Sequence, residues 1–209
     1  MKDSLALLLV FAAGICLGVS DMAPEFLHLP WLPTVALSLL MVQIGIGLGS
    51  RKDLPAIIKS LHWSMLLLPL STIVGTLTFS TLALLLFRHE SLKDVLAVGS
   101  GFGYYSLSSV LIAEIKSATA GMEKATQLAT IALLANVTRE VFALLCCPVI
   151  IRKGKGNAAI SIAGISSMDV CLPMIIGRDG SKSQLLPTAV FHGFILELSV
   201  PLLITFFCQ

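Results

Sequence analysis

Long apolar runs alternate with short polar breaks along this chain, and the runs predict its architecture. They cover residues 5–19, 34–49, 62–87, 95–113, 125–151, 158–177 and 181–207, and most charged residues gather between them. Several runs reach the ~20 residues a helix needs to cross the hydrocarbon core. They are continuous and do not alternate, which argues against a β-barrel. Pro69 inside 62–87 predicts a kink with a freed carbonyl. The run at 125–151 carries Arg139 and Glu140 near its middle. A charge at the centre of a spanning helix costs about 2.5–3.5 kcal/mol, so such groups face a protein interior or a wet cavity. The rest of the chain is expected to be organised around this helix.

Two runs are irregular. Residues 99–109 hold Gly99, Gly101 and Gly103 with Tyr104, Tyr105, Ser106, Ser108 and Ser109. Residues 163–173 hold Gly164, Ser166, Ser167, Asp169 and Pro173. Unwound backbone at membrane depth is tolerated where it is buried in protein or lines a watery cavity. Both runs are therefore predicted to be broken or re-entrant segments (95–113 and 158–177).

Sidedness supports that reading. Arg51, Lys52 and Lys59 form one basic loop, and Arg152, Lys153 and Lys155 another. If every run crossed, the two loops would lie on opposite faces, against the positive-inside rule. If 95–113 and 158–177 dip in and return, both loops are cytoplasmic. The expectation is an all-α integral membrane protein with five full spans and two broken segments, its N-terminus inside and its C-terminus outside. Seven full spans is the alternative. The first run, after Lys2, resembles a signal peptide, but is read as a retained span in which Gly14 and Gly18 pack closely. Residues 1–209 are expected to form a single transport domain, with peripheral spans at 1–60 and a core at 61–209. Charged residues at 114–124 are expected to form a loop.

Composition narrows the class further. The chain is 56% hydrophobic and 12% charged, with mean hydropathy +0.94, against roughly 25% charged in a soluble domain. A net charge of +2 without an aromatic-interleaved basic patch gives no reason to expect nucleic acid. Cys16, Cys146, Cys147, Cys171 and Cys208 show neither metal-ligand spacing nor a disulfide framework. No cofactor or metal site is expected.

Two broken segments entering from opposite faces beside long helices are how secondary transporters build a central site. Glu140 is the first candidate, to bind a cationic group or carry a proton. Adjacent helix residues point about 100° apart, so Arg139 does not readily neutralise it. Arg139 is expected to hold a substrate carboxylate or to pair with Asp169. Asp169 is read as a cavity residue, or as the N-cap of a half-helix. Ser106, Tyr105 and Ser167 belong to the broken segments. His192 and Glu197, five apart in the last run, do not share a helix face. His192 and Asn136 complete the candidate substrate- and proton-binding set. A Ser106–His192–Asp169 triad lacks nucleophile-elbow spacing, and no metalloprotease helix is present. An enzyme is therefore not expected.

The strings GSGFGYYSLSSV (99–110), NVTRE (136–140), SSMDVCLP (166–173) and FHGFIL (191–196), and more loosely MVQIGIGL (41–48), resemble the LysO lysine-exporter family of bacterial inner membranes. The resemblance runs in order through nearly the whole chain. It implies export of L-lysine and its toxic analogue thialysine across the inner membrane without ATP, with the family's intramembrane glutamate at Glu140. Lysine carries net charge +1, and moving one charge against the potential requires about 2.3 kcal/mol per 100 mV. A proton entering as lysine leaves removes most of that cost, so proton antiport is the expected mechanism. Full-length members begin with a further block of spans bearing a second functional acid. A small membrane subunit, or assembly with a second copy, is therefore expected to complete the transporter.

Overall fold

The structure, a computed structural model, describes residues 63–85, 90–177 and 182–209, with isolated helical positions at 13, 16, 17, 35, 39, 42 and 46 and a turn at Ser20. The rest of the first two runs and the basic loop at 51–59 lie outside the described residues. Every regular element among the described residues is helical. Helix α1 (Trp63–Thr81) runs into a 3-10 turn, Leu82–Leu85; α2 (Leu92–Gly99) and α3 (Tyr105–Ala120) follow. The longest helix is α4 (Met122–Arg152). Next come α5 (Gly156–Ala163), a 3-10 turn Gly164–Met168, α6 (Leu172–Ile176), a 3-10 turn Ser183–Leu185 and α7 (Leu186–Cys208).

Three of these stretches are long and apolar enough to cross a membrane: Met65–Leu85, Met122–Arg152 and Leu186–Cys208. Their surfaces fit that solvent. On α4, Leu134, Val141, Phe142, Leu145 and Val149 are exposed, while Asn136 and Glu140 are buried. Apolar-out and polar-in is the arrangement expected of a helix whose solvent is hydrocarbon. Pro69, Pro148 and Pro201 sit inside α1, α4 and α7.

Helices α3 and α4 form a hairpin joined through Gly121, whose φ of +88° reverses the chain in one residue. Helix α7 packs on α1, α2 and α3 and on the turn at 164–168. Phe102, Leu107, Ile112, Leu128, Leu196 and Val200 fill the core it shares with α2, α3 and α4. A second cluster joins Ala143 and Cys147 of α4 to Ile160, Cys171 and Ile175.

The expected loop at 114–124 is overturned, because α3 continues to Ala120. Lys116 is buried and stays helical by pairing with Asp94 of α2 at 2.7 Å. Lys124 of α4 reaches Glu90 at 2.9 Å and Asp94 at 3.3 Å. Ser91 caps α2 by accepting the Asp94 N–H at 3.1 Å. Burial pushes the Asp94 carboxyl up, but hydrogen bonds from Lys116 and Ser91 and the Lys116 charge outweigh it and hold it below its ordinary value. The last helix begins at Leu186, later than the apolar run at 181–207, with Pro187 in its first turn.

Candidate functional site

Both irregular runs are interrupted helices, and the two interruptions meet. The first lies between α2 and α3. Tyr104 N–H closes it on the Gly101 carbonyl at 2.7 Å, and Phe102 and Gly103 adopt φ of +45° and +96°. A positive φ at a phenylalanine costs about 1–3 kcal/mol and persists only where its surroundings enforce it. Asn136 of α4 supplies part of that enforcement. Its Oδ1 accepts the Gly103 N–H at 2.7 Å, while its Nδ2 donates to the Ala132 carbonyl at 2.8 Å and to Ser108 Oγ at 3.2 Å. Residue 101 must be glycine for this, since a Cβ there would lie 2.3 Å from Asn136 Nδ2.

The second interruption starts at Gly164, where φ is +62° and a Cβ would lie 2.3 Å from the Phe102 carbonyl oxygen. That approach lets Ile165 N–H donate to the same oxygen at 3.1 Å. The Cys171 N–H then turns the chain back by donating to the Ser166 carbonyl at 2.8 Å.

Between the interruptions lies a cavity of about 130 Å³. Gly103, Tyr104, Tyr105 and Ser106 line it from the first break, and Ile165, Ser166, Met168, Asp169 and Val170 from the second. Glu140 of α4 and Glu197 of α7 complete it. Both glutamates are buried, at 4% and 9% exposure, whereas Asp169 is exposed and accepts the Val170 N–H. Three carboxyl-bearing residues thus share one space with the start of α3. Helix starts present N–H groups that favour negative charge. The space is smaller than the ~300–1,000 Å³ of typical small-molecule pockets. This conformation admits a few waters or an ammonium group, not a whole amino acid.

Arg139 points elsewhere. Its guanidinium lies 5.9 Å from the centre of the Phe102 ring, within cation–π range. It donates to the carbonyls of Ser161 at 3.2 Å and Ile162 at 3.4 Å, the last turn of α5, and to Thr76 Oγ1 at 3.5 Å. A cation at a helix C-terminus is favourably placed. Arg139 lines two cavities that do not include Glu140 or Asp169. Helix α4 thus carries an acid on one side and a base on the other at consecutive residues.

Of the candidates from sequence, Glu140, Asp169, Ser106 and Tyr105 come together around the small cavity. Asn136 stands behind it as a fastener. Ser167 and His192 lie on the other side of the second break, with Ser167 Oγ donating to the Ala189 carbonyl at 2.9 Å and lying 3.3 Å from His192 Nδ1. Glu197, outside the candidate set, also lines the cavity; a charge in a span is its signal. Phe102, Thr72 and Ser161 gave no signal, since one is an ordinary apolar residue and two are hydroxyls common in helices.

The fold and cavity define a helical membrane protein with an acid-lined interior between two interrupted segments. Comparison with known proteins gives the family. The family model described as lysine exporter LysO matches residues 8–208, and the chain belongs to that family. Lysine exporter LysO of Escherichia coli (strain K12) is 32% identical over 210 residues, which is 98% of this chain and 64% of that protein. A Haemophilus influenzae protein (strain ATCC 51907 / DSM 11121 / KW20 / Rd), whose name also points to lysine export, is 31% identical over 121 residues, 58% of this chain and 56% of that one. The chain therefore spans less than two thirds of these relatives. No solved structure matches it.

Proposed function

We propose that this protein exports L-lysine, and toxic analogues such as thialysine, by exchange with protons, and that Glu140 alternates between the two. The observation carrying this reading is the convergence of two interrupted helices on one cavity with buried Glu140 and Glu197. Lysine presents two ammonium groups and one carboxylate. The glutamates suit ammonium, and the start of α3 suits carboxylate. A buried carboxyl that has released lysine is stabilised by taking a proton, because burial favours the neutral form. Binding and protonation then exclude one another, as antiport requires.

In this reading the membrane is crossed by five full spans, and 95–113 and 158–177 re-enter. Glu140 lies 12 residues before Arg152, the end of α4. At 1.5 Å per residue that is about 18 Å, close to the middle of a ~30 Å hydrocarbon layer. The proposed location is the bacterial inner membrane. A small membrane subunit or a second copy of the chain is the proposed partner.

The test is lysine efflux from loaded vesicles with and without an inward proton gradient, for the chain alone and with the proposed partner. Glu140→Gln keeps the shape but cannot release a proton. It should drop to the rate of protein-free vesicles at normal protein level, and Glu140→Asp should retain activity at a shifted pH optimum. Gradient-driven efflux by Glu140→Gln at the wild-type rate would remove Glu140 from the mechanism.

A further inference from the structure

His192 is fully buried in α7, yet both ring nitrogens have side-chain partners on other elements. Nε2 lies 3.0 Å from Thr72 Oγ1 of α1, and Nδ1 lies 3.3 Å from Ser167 Oγ in the second break. Thr72 Oγ1 is in turn 2.7 Å from Ser161 Oγ of α5. Thr72 and Ser161 line a cavity of about 640 Å³ between α1, α4 and α5, on the Arg139 side of α4. The acidic cavity lies on the other side. We propose that His192 is a second proton-binding site, loaded at Nε2 from this larger cavity through Thr72 and Ser161. The inference rests on the antiport reading above and adds a site to it.

Donor and acceptor counts favour this role. Ser167 has one hydroxyl hydrogen and donates it to the Ala189 carbonyl at 2.9 Å. Its oxygen therefore accepts, and the ring keeps its hydrogen on Nδ1. Nε2 is left as the atom that changes. When Nε2 is bare, the Thr72 hydroxyl donates to it. When Nε2 carries a proton, Thr72 accepts from it and turns its own hydrogen to the Leu68 carbonyl, 2.9 Å away. Both charge states are fully hydrogen-bonded with no heavy atom displaced, as a site that loads and unloads in each cycle requires. The step moves one proton, and no electrons, between Nε2 and a water that enters the polar side of this cavity at Thr72, Thr76 and Ser161.

The surroundings place this proton where it bears on the transport site. Nδ1–H holds Ser167, whose neighbours Ser166 and Met168 line the acidic cavity. Gly193, next to His192, carries the same turn against α7, since a Cβ there would lie 2.7 Å from Met168 Cγ. Helices α1, α5 and α6 bring no charged residue to His192. The neighbouring charges are Arg139 of α4, seated on the α5 carbonyls, and Glu140, Asp169 and Glu197 around the acidic cavity. Asp94 of α2 and Lys116 of α3 are paired with one another.

The experiment uses the full chain purified with any subunit that accompanies it, in vesicles containing lysine and a pH-sensitive dye. Lysine–lysine exchange needs no net proton movement, whereas net efflux coupled to protons acidifies the interior. His192→Gln keeps polar groups at the site but does not titrate, and Thr72→Val keeps the shape and removes the hydroxyl. His192→Gln should lose net efflux and acidification to the protein-free rate while lysine exchange stays measurable. Thr72→Val should slow acidification and spare exchange. Thr72→Val also keeps the test sound if His192→Gln does not fold. Acidification at the wild-type rate in both variants overturns the site while leaving antiport standing, as does equal loss of exchange and net efflux in both. Lysine efflux by the wild type without acidification overturns the antiport reading and this site together.

Discussion

At the scale of single residues, Asn136 decides whether the first break keeps its shape. Its amide satisfies the buried Gly103 N–H and two acceptors at once. Asn136→Leu preserves approximate size but leaves that N–H without its acceptor, at a cost of about 1–3 kcal/mol. We expect a melting temperature several degrees lower in detergent, and loss of transport in the fraction that remains folded. An unchanged melting temperature would show that water or the backbone takes over the bond. Asn136, Glu140 and Asp169 were legible in the sequence because an amide or a charge inside an apolar run is conspicuous. Thr72 and Ser161 were not. A helical hydroxyl commonly bonds its own preceding turn, as Thr72 does to Leu68, and nothing local marks the hydroxyl that also meets a histidine more than a hundred residues away.

At the scale of elements, the glycines and hydroxyls of 99–109 and 163–173 announced the breaks, but not the end of α3. Glu114, Lys116, Glu123 and Lys124 together looked like a loop, because the partners that keep Lys116 and Lys124 in helices are distant in sequence. Asp94, in the first turn of α2, ties α3 and α4 to that helix through Lys116 and Lys124. Its carboxyl is held below the ~3.9 of an unfolded chain. The sign follows from that depression. The stabilisation is present above about pH 3.9 and is lost as pH falls through the lower folded value. Asp94→Asn should therefore lower stability at neutral pH and flatten the acid limb of a thermal-stability profile between about pH 5 and 2. A variant profile parallel to the wild type throughout would remove Asp94 as the source of that limb.

At the scale of the molecule, the apolar faces of α1, α4 and α7 state that the chain lives in a membrane, and they were legible from run length alone. Which face each break opens to could be inferred only indirectly, from the basic loops at 51–59 and 152–155, because neither break itself carries a Lys or Arg and only these near span ends report sidedness. In the five-span reading, single cysteines at positions 59 and 155 of a cysteine-free variant are both shielded from an impermeant thiol reagent in whole cells. Labelling of one position and not the other would mean that 95–113, the break between them, crosses fully, and would overturn the five-span reading.

The contact between the Ile165 N–H and the Phe102 carbonyl has a mechanical consequence. It is a main-chain bond between two interrupted segments more than sixty residues apart in sequence, and such a bond is worth only about 0.5–1.5 kcal/mol net. A bond of that size is made and broken readily at ambient temperature. Gly164 allows the approach. In the exporter proposed above, one such bond rather than a ladder of them lets the two breaks part at small cost.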